Sequence, residues 1–229
     1  MLTSGEWSEA RLGYRFGDPA LLDAALTHRS AGKQNYERLE FLGDAILNFA
    51  VARLVFGAFP EADEGDLSRY RSALVSGRSL AAAAAALGLG DQLRLGSGEL
   101  KTGGFRRGSI LADSLEALFG AVYLDGGLDA ARTVIESVFS RRVADLPEAR
   151  DLKDPKTRLQ EFLQARGDGL PAYAIETVSG EPHEHWFVAS CEVASHGLRA
   201  EGEGPSRRSA EQAAAQGVLD ALAQRESES

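Results

Sequence analysis

The spacing of the apolar residues changes near residue 150, and this change divides the chain into two parts of different structural class. Before it, apolar residues recur at helical spacing over 36–57, and the alanine-rich stretch 66–87 ends in glycines suited to a helix C-terminus. Two further apolar segments, 108–124 and 128–143, also predict helices, and no strand-like alternation of any length precedes residue 150. One side of the first helix is expected to be buried, namely Leu39, Leu42, Ile46, Phe49, Ala50 and Leu54. The first two-thirds of the chain are therefore predicted to be all-α.

The remainder has the pattern of a small α+β module. Two prolines within a charged stretch, DLPEARDLKDP, are typical of a linker. The elements predicted after it are a helix over 156–166, strands over 172–178 and 186–193 with a turn at Ser179–Gly180, a weaker strand over 197–204 and a helix over 207–224. This α-β-β-β-α order is typical of a compact α+β domain.

These patterns predict a first domain over 1–146, a linker over 147–153 and a second domain over 154–225.

The net charge of the chain is −9. Residues 1–150 include 17 basic and 20 acidic residues, and residues 151–229 include 8 basic and 14 acidic residues. Because phosphate neutralisation normally dominates binding to nucleic acid, such a partner would require local basic clusters. The single cysteine, Cys191, excludes an intramolecular disulfide and a cysteine-based zinc site. With no long apolar run and no apolar signal core at the N-terminus, we expect a cytoplasmic protein without a membrane span.

Carboxylates recur inside two apolar helices. In ERLEFLGDA, Glu37, Glu40 and Asp44 have i, i+3 and i+7 spacing, which places them on one narrow arc of a helix. In ILADSLEALFG, Asp113 and Glu116 repeat the i, i+3 pattern. Burying ionised carboxylates together costs several kcal/mol unless a cation neutralises them. The residues are therefore either solvated faces of amphipathic helices or a Mg²⁺ or Mn²⁺ site, and such a site favours phosphoryl-transfer or phosphodiester chemistry.

ERLEFLGDA resembles the signature of the ribonuclease III family, which are double-stranded-RNA endonucleases. The resemblance extends through LTHRS at 26–30, EADEGDLSRYRSALVS at 61–76 and ILADSLEALFGAVYLD at 110–125. The C-terminal part is similar to a double-stranded-RNA-binding domain through DPKTRLQEFLQ at 154–164, GEPHEHWF at 180–187 and GEGPSRRSAEQAAA at 202–215. Together these segments cover nearly the whole chain in the order of a bacterial-type enzyme.

The resemblance implies an all-α endonuclease domain followed by an α+β RNA-binding domain. It implies Mg²⁺-dependent hydrolysis, with Mn²⁺ able to substitute, to products with 5′-phosphate and 3′-hydroxyl ends. The implied metal ligands are Glu40, Asp113 and Glu116, and the implied catalytic residues are Glu116 and Asp44, the latter acting through metal-bound water. Further acidic positions of the cleft are Glu37 and Glu64, although a solvated loop explains Glu64 equally well. By analogy, the substrates would be precursors of ribosomal RNA and other structured transcripts, including messenger and transfer RNA.

The resemblance also implies a homodimer in which each chain cleaves one strand of the duplex. Phe41 and Leu42 would suit the dimer contact, but the sequence explains them equally well as core residues. Nearby basic residues are explained either as contacts to the RNA backbone or as surface charge, namely Arg38, Arg69, Arg71, Arg106 and Arg107. Lacking a histidine or cysteine partner nearby, His28 is predicted to be structural.

In the second domain, the resemblance places Thr157, Gln160 and Glu161 against a minor groove, where side chains contact 2′-hydroxyls. It assigns RNA binding to the loop residue His183, and to Ser206, Arg207 and Arg208 at the start of the last helix, where a helix N-terminus favours phosphate. The family often has a basic residue at the position of Ser209 and another near Glu211, so we expect RNA affinity here to be weaker and more salt-sensitive. Two other functions remain open, a non-cleaving RNA-binding regulator and a metal-dependent phosphatase acting on a small substrate.

Overall fold

A computed structural model describes residues 2–181 and 185–227. The chain divides into two compact units, Met1–Ala149 and Arg150–Ser229. The division lies at the start of a four-residue helix, Ala149–Leu152, which we number α8. His183, a candidate RNA contact in the sequence, lies outside the described residues.

The first unit is built from helices. They are α1 (Ser4–Leu12), α2 (Pro19–Ala25), α3 (Glu37–Ala58), α4 (Glu64–Leu74), α5 (Gly77–Ala86), α6 (Ser97–Lys101) and α7 (Gly108–Ala144), with 3₁₀ turns at Leu89–Gln92 and Gly104–Arg106. In the described part of this unit the extended pairing is limited to an isolated bridge between Thr27 and Arg94, as the all-α prediction requires.

Local sequence explains where several of these helices begin and end. The side chains of Asp63 and Ser76 accept backbone N–H groups at the N-termini of α4 and α5. The continuous helix predicted over 66–87 is therefore wrong, because Ser76 caps a new helix. Within α7, Gly127 has φ +79°, a conformation that favours glycine and separates the two helical segments predicted from the sequence.

The core of the first unit forms where α3 packs against α7. On α7, Leu115, Leu118 and Phe119 are completely buried, and α3 contributes Leu47 and Val51. These side chains fix the relative position of the two helices that carry the acidic motifs.

The prediction of a buried Phe49 is wrong, since 52% of this residue is exposed.

Among the described residues, α3 is the one helix long and apolar enough to cross a membrane by length and composition. This is weak evidence for a membrane span, because the core helix of a soluble protein passes the same test.

The second unit has the predicted α-β-β-β-α order. Its elements are α9 (Pro155–Ala165), β1 (Ala172–Ser179), β2 (Trp186–Val193), β3 (Leu198–Gly204) and α10 (Arg207–Ser227). The strands form one antiparallel sheet in the order β1-β2-β3. Residues of both helices and of the sheet share one core, which contains Leu159, Leu163, Cys191, Val193, Ala214, Ala215, Val218 and Leu222. Ser179, predicted to lie in a turn, is the last residue of β1 and pairs with Trp186.

Candidate metal centre and RNA-binding surface

Three carboxylates from two packed helices converge in the first unit. Glu40 lies in the first turn of α3, and Asp113 and Glu116 lie one turn apart in α7. One carboxylate oxygen of each residue lies within 4.8 Å of those of the other two, and all three residues are partly buried. We call Glu40, Asp113 and Glu116 the carboxylate cluster. A set of oxygen donors fits a hard divalent cation such as Mg²⁺ or Mn²⁺ better than it fits copper or zinc.

Two glycines bring the cluster together. A Cβ atom added to Gly43 of α3 would lie 1.8 Å from the backbone oxygen of Glu116. A Cβ atom added to Gly120 of α7 would lie 2.3 Å from the backbone oxygen of Leu39. The backbones of α3 and α7 can therefore approach this closely only without side chains at these two positions. Since Glu40 and Glu116 lie on the two helices concerned, this approach sets the distance between their carboxylates.

The electrostatics of the cluster show that its negative charge is incompletely compensated. Burial, followed by the charges of Asp44, Asp113 and Glu40, raises the pKa of Glu116 to about 7. Burial and the charges of Asp113 and Glu37 raise the pKa of Glu40. Burial also raises the pKa of Asp113, although His28 and Arg29 partly oppose this effect. A divalent cation would relieve the repulsion, so the residues present fit a bound metal ion.

The other predicted acidic residues lie outside the cluster. Asp44 is exposed, and its Oδ1 atom accepts a hydrogen bond from Asn48 Nδ2 at 2.8 Å, but its charge is close enough to raise the pKa of Glu116. Glu37 is exposed and lies 3.7 Å from a guanidinium nitrogen of Arg29. Glu64 lies in the first turn of α4, where it accepts a hydrogen bond from the Ser68 hydroxyl at 2.9 Å.

A cavity of about 240 Å³ opens beside the cluster, and sequence reasoning missed part of its lining. Besides Glu40 and Asp113, residues on the cavity wall include His28, Arg29, Tyr36, Glu37, Glu99, Arg107, Ser109 and Ile110. His28 is buried, and its Nδ1 atom accepts a hydrogen bond from the Ser30 backbone N–H at 3.1 Å. Because His28 belongs to the LTHRS motif, the sequence could have placed it near the carboxylate cluster. Glu99 lies in a short helix without a distinctive sequence pattern, so the sequence could not have placed it there.

In the second unit, one exposed face of α9 carries three predicted RNA contacts. Thr157, Gln160 and Glu161 are all exposed, and their i, i+3 and i+4 spacing places them on the same side of the helix. The Glu161 carboxylate accepts hydrogen bonds from Lys153 Nζ at 2.6 and 2.8 Å. This pairing holds Glu161 in place and compensates its charge.

The start of α10 presents the second group of predicted RNA contacts. Ser206, Arg207 and Arg208 are exposed, and the Ser206 hydroxyl oxygen accepts the backbone N–H of Ser209 at 3.1 Å. The Ser209 hydroxyl in turn donates to the backbone oxygen of Ser206 at 2.8 Å. Ser209 thus stabilises the start of α10. The Glu211 carboxylate accepts a hydrogen bond from Lys156 Nζ at 2.6 Å, so its charge is locally compensated.

Comparisons with known proteins agree with both parts of this description. Residues 18–143 match the family model "Ribonuclease-III-like", and residues 155–222 match "Double-stranded RNA binding motif". Ribonuclease 3 of Pseudomonas fluorescens SBW25 is 54% identical over 93% of each chain, and Ribonuclease 3 of Alkalilimnicola ehrlichii is 53% identical over 97% of each. A crystal structure of the nuclease domain of ribonuclease III from Campylobacter jejuni is 42% identical, with a TM-score of 0.59, and covers 62% of this chain and 97% of that one.

The fold and the site therefore define a two-part nuclease, in which a helical domain with a carboxylate cluster precedes a double-stranded-RNA-binding motif. The chain belongs to the ribonuclease III family and is a double-strand-specific endoribonuclease. This assignment confirms the resemblance found in the sequence. It disfavours the small-molecule phosphatase, which would gain nothing from an RNA-binding motif.

Proposed function

We propose that this chain hydrolyses double-stranded RNA in a Mg²⁺-dependent reaction at the carboxylate cluster, and that Mn²⁺ substitutes for Mg²⁺. The observation that carries the proposal is the convergence of three carboxylate oxygens within 4.8 Å on helices that also hold Asp44. Glu40, Asp113 and Glu116 would hold the metal. When bound, the metal would neutralise the cluster and stabilise charge on the attacking and leaving oxygens of an in-line displacement.

The acidic side chains in and around the cluster have different roles in the proposed reaction. Glu116 must be ionised to serve as a ligand, and its raised pKa makes it the carboxylate most dependent on a nearby cation. Asp44, exposed beside the cluster and held by Asn48, is positioned to orient water for attack on the phosphodiester. Glu37 and Glu64 would contribute negative potential to the cleft. The expected products carry 5′-phosphate and 3′-hydroxyl ends.

The second unit would hold the duplex. Thr157, Gln160 and Glu161 would contact 2′-hydroxyls in a minor groove, and Ser206, Arg207 and Arg208 would contact phosphates at the start of α10. His183 would also contact the RNA. It places the nuclease domain over 1–146, the linker over 147–153 and the RNA-binding domain over 154–225, in a cytoplasmic enzyme.

A homodimer is supported by the apolar surface that α3 leaves exposed. Phe41, Phe49 and Phe56 are 82%, 52% and 71% exposed, and their spacing places them on one side of the helix. Beside Phe41 lies an open cavity of about 700 Å³, whose lining includes Leu42 and Leu124. A two-fold symmetric contact would let the Phe41 side chain of each chain fill this cavity in the other. Exposed apolar patches of this kind mark protein interfaces.

Substrates would be precursors of ribosomal RNA and other structured transcripts, including messenger and transfer RNA. The proposal is tested by incubating the protein with a perfect RNA duplex and Mg²⁺, and then ligating the products directly to an RNA acceptor that has a 3′-hydroxyl end. Ligation without prior phosphorylation is expected, because the products should carry 5′-phosphates. Products that require a kinase before ligation would contradict the proposed chemistry.

A further inference from the structure

The carboxylates that line the 240 Å³ cavity fall into two groups. Glu40 and Asp113 converge with Glu116 in the carboxylate cluster. Glu37 and Glu99 lie outside the cluster, and each pairs with an arginine on the same cavity wall. The two guanidinium groups among the described lining residues, those of Arg29 and Arg107, are therefore each placed next to a carboxylate.

Arg107 is held at two atoms. Its Nη1 atom lies 2.9 Å from Glu99 Oε2, and its Nη2 atom donates a hydrogen bond to Thr102 Oγ1 at 3.3 Å. Glu99 is largely buried, with only 26% of its side chain exposed, whereas 47% of the Arg107 side chain remains open to solvent. Arg107 directly precedes α7, so its guanidinium group is fixed relative to the helix that carries Asp113 and Glu116.

Arg29 occupies a tethered loop on the same cavity wall. Its neighbours in sequence are fixed, because the Ser30 backbone N–H donates to His28 Nδ1 at 3.1 Å and the Gly96 backbone N–H donates to Ser30 Oγ at 2.9 Å. The Arg29 side chain is 71% exposed, and Glu37 lies 3.7 Å away, beyond hydrogen-bond distance. The guanidinium group of Arg29 is therefore placed near the site but keeps its donors available.

We propose that Arg29 and Arg107 bind phosphates of the RNA next to the scissile bond, and that Glu37 and Glu99 are positioning residues that orient these arginines. The inference rests on the proposed metal-dependent cleavage at the carboxylate cluster. A phosphodiester that enters a cavity lined by four carboxylates meets repulsion that a metal at the cluster relieves only locally. Guanidinium groups neutralise phosphate and match its geometry with paired donors, which suits them to the flanking phosphates.

The neighbouring residue Arg106 supplies a matched control. Its guanidinium group lies 5.1 Å from the centre of the Phe105 ring, and both residues line a different cavity. Arg106→Gln and Arg107→Gln therefore remove the same charge from adjacent positions, of which only Arg107 lines the cavity beside the carboxylate cluster.

The first experiment measures RNA binding, in a Glu116→Gln background that prevents cleavage, by fluorescence anisotropy with a labelled duplex over a series of salt concentrations. Arg29→Gln and Arg107→Gln are each expected to weaken binding about tenfold and to reduce the salt dependence by about one unit of log–log slope. Arg107→Lys should keep the slope because it keeps the charge. Arg106→Gln should leave both affinity and slope unchanged. If Arg29→Gln and Arg107→Gln behave like Arg106→Gln, the inference is overturned.

The second experiment measures Mg²⁺ binding to the protein without RNA by calorimetry. Glu37→Gln and Glu99→Gln each remove a charge outside the cluster and should weaken Mg²⁺ binding by no more than about threefold, whereas Glu40→Gln should weaken it at least tenfold. If Glu37→Gln and Glu99→Gln weaken Mg²⁺ binding as strongly as Glu40→Gln, both are metal ligands and the positioning role is wrong. An unsubstituted chain that binds no Mg²⁺ would instead contradict the proposed metal centre, which the RNA-binding experiment does not require.

Discussion

Replacing Gly43 by alanine tests whether the close approach of α3 and α7 creates the carboxylate cluster. The new Cβ atom would lie 1.8 Å from the backbone oxygen of Glu116, and real Cβ atoms essentially never come closer than 3.0 Å to such an atom. The helices must therefore move apart locally by at least 1.2 Å, the difference between these two distances. Because the clash involves backbone, no side-chain rotation can relieve it.

Two effects of Gly43→Ala can be measured. Overpacking of a tight contact costs about 1–3 kcal/mol, which outweighs the gain of up to about 1 kcal/mol that alanine provides in a helix. The free energy of unfolding, measured by urea denaturation, should fall accordingly. A displacement of about 1 Å in a catalytic site costs on the order of 100-fold in rate, so cleavage of a duplex under single-turnover conditions should slow by about that factor.

Gly57→Ala is the matched control. Gly57 lies in the same helix, and a Cβ atom there would meet no atom within 4 Å. This variant should keep the cleavage rate and unfold at an equal or higher urea concentration. If Gly43→Ala cleaves RNA and unfolds like Gly57→Ala, the glycine contact does not set the geometry of the site.

Three further predictions concern other parts of the molecule. Phe41→Asp should convert the protein to a monomer in sedimentation analysis, because it places a charge in the proposed dimer contact. Leu170→Asp, which changes an exposed residue of the second unit, should leave the oligomeric state unchanged. Glu116→Gln should raise the free energy of unfolding of the metal-free protein by about 1 kcal/mol near pH 8, after allowance for solvent screening. The reason is that the folded state raises the pKa of Glu116 to about 7, so ionisation of Glu116 above that pH destabilises the folded state relative to the unfolded state. This gain should shrink as the pH falls through 7 and vanish near pH 4.5, and a gain independent of pH would contradict the explanation. Ser209→Lys should strengthen RNA binding at moderate salt but lower the melting temperature of the second unit, because it removes the hydrogen bonds that the Ser209 hydroxyl makes with the backbone N–H and carbonyl of Ser206. Ser209→Ala should lower the melting temperature alone.

Periodicity predicted the two long helices and the acidic positions on each of them, because both depend on local sequence, whereas the set of metal ligands came from the family resemblance. The i, i+3 spacing of Asp113 and Glu116 on α7 follows from helix geometry alone. Which of the acidic residues on α3 would meet them depends on the depth and angle of the helix crossing. That crossing is set by Gly43 and Gly120, whose close contacts with Glu116 and Leu39 join residues 73 and 81 positions apart in the sequence.

The errors and omissions have a similar origin. Phe49 has the spacing of a core residue but lies on the open side of α3, where a hydrophobic pattern does not distinguish a core from an interface with a second chain. Arg106 and Arg107 are equivalent in the sequence, and only the fold directs Arg107 toward Glu99 and Arg106 toward Phe105. The role of Ser209 at the start of α10 likewise depends on hydrogen bonds that composition does not reveal.

The first measurement to make is cleavage of a perfect RNA duplex by the purified protein with and without Mg²⁺, alongside Glu116→Gln. The unsubstituted chain should cleave only when Mg²⁺ is present, and Glu116→Gln should bind the duplex without cleaving it. A folded, dimeric, unsubstituted protein that binds the duplex but does not cleave it with Mg²⁺ would refute metal-dependent cleavage at the carboxylate cluster and favour a non-cleaving regulator. Cleavage by Glu116→Gln at the unsubstituted rate would remove Glu116 from the metal centre.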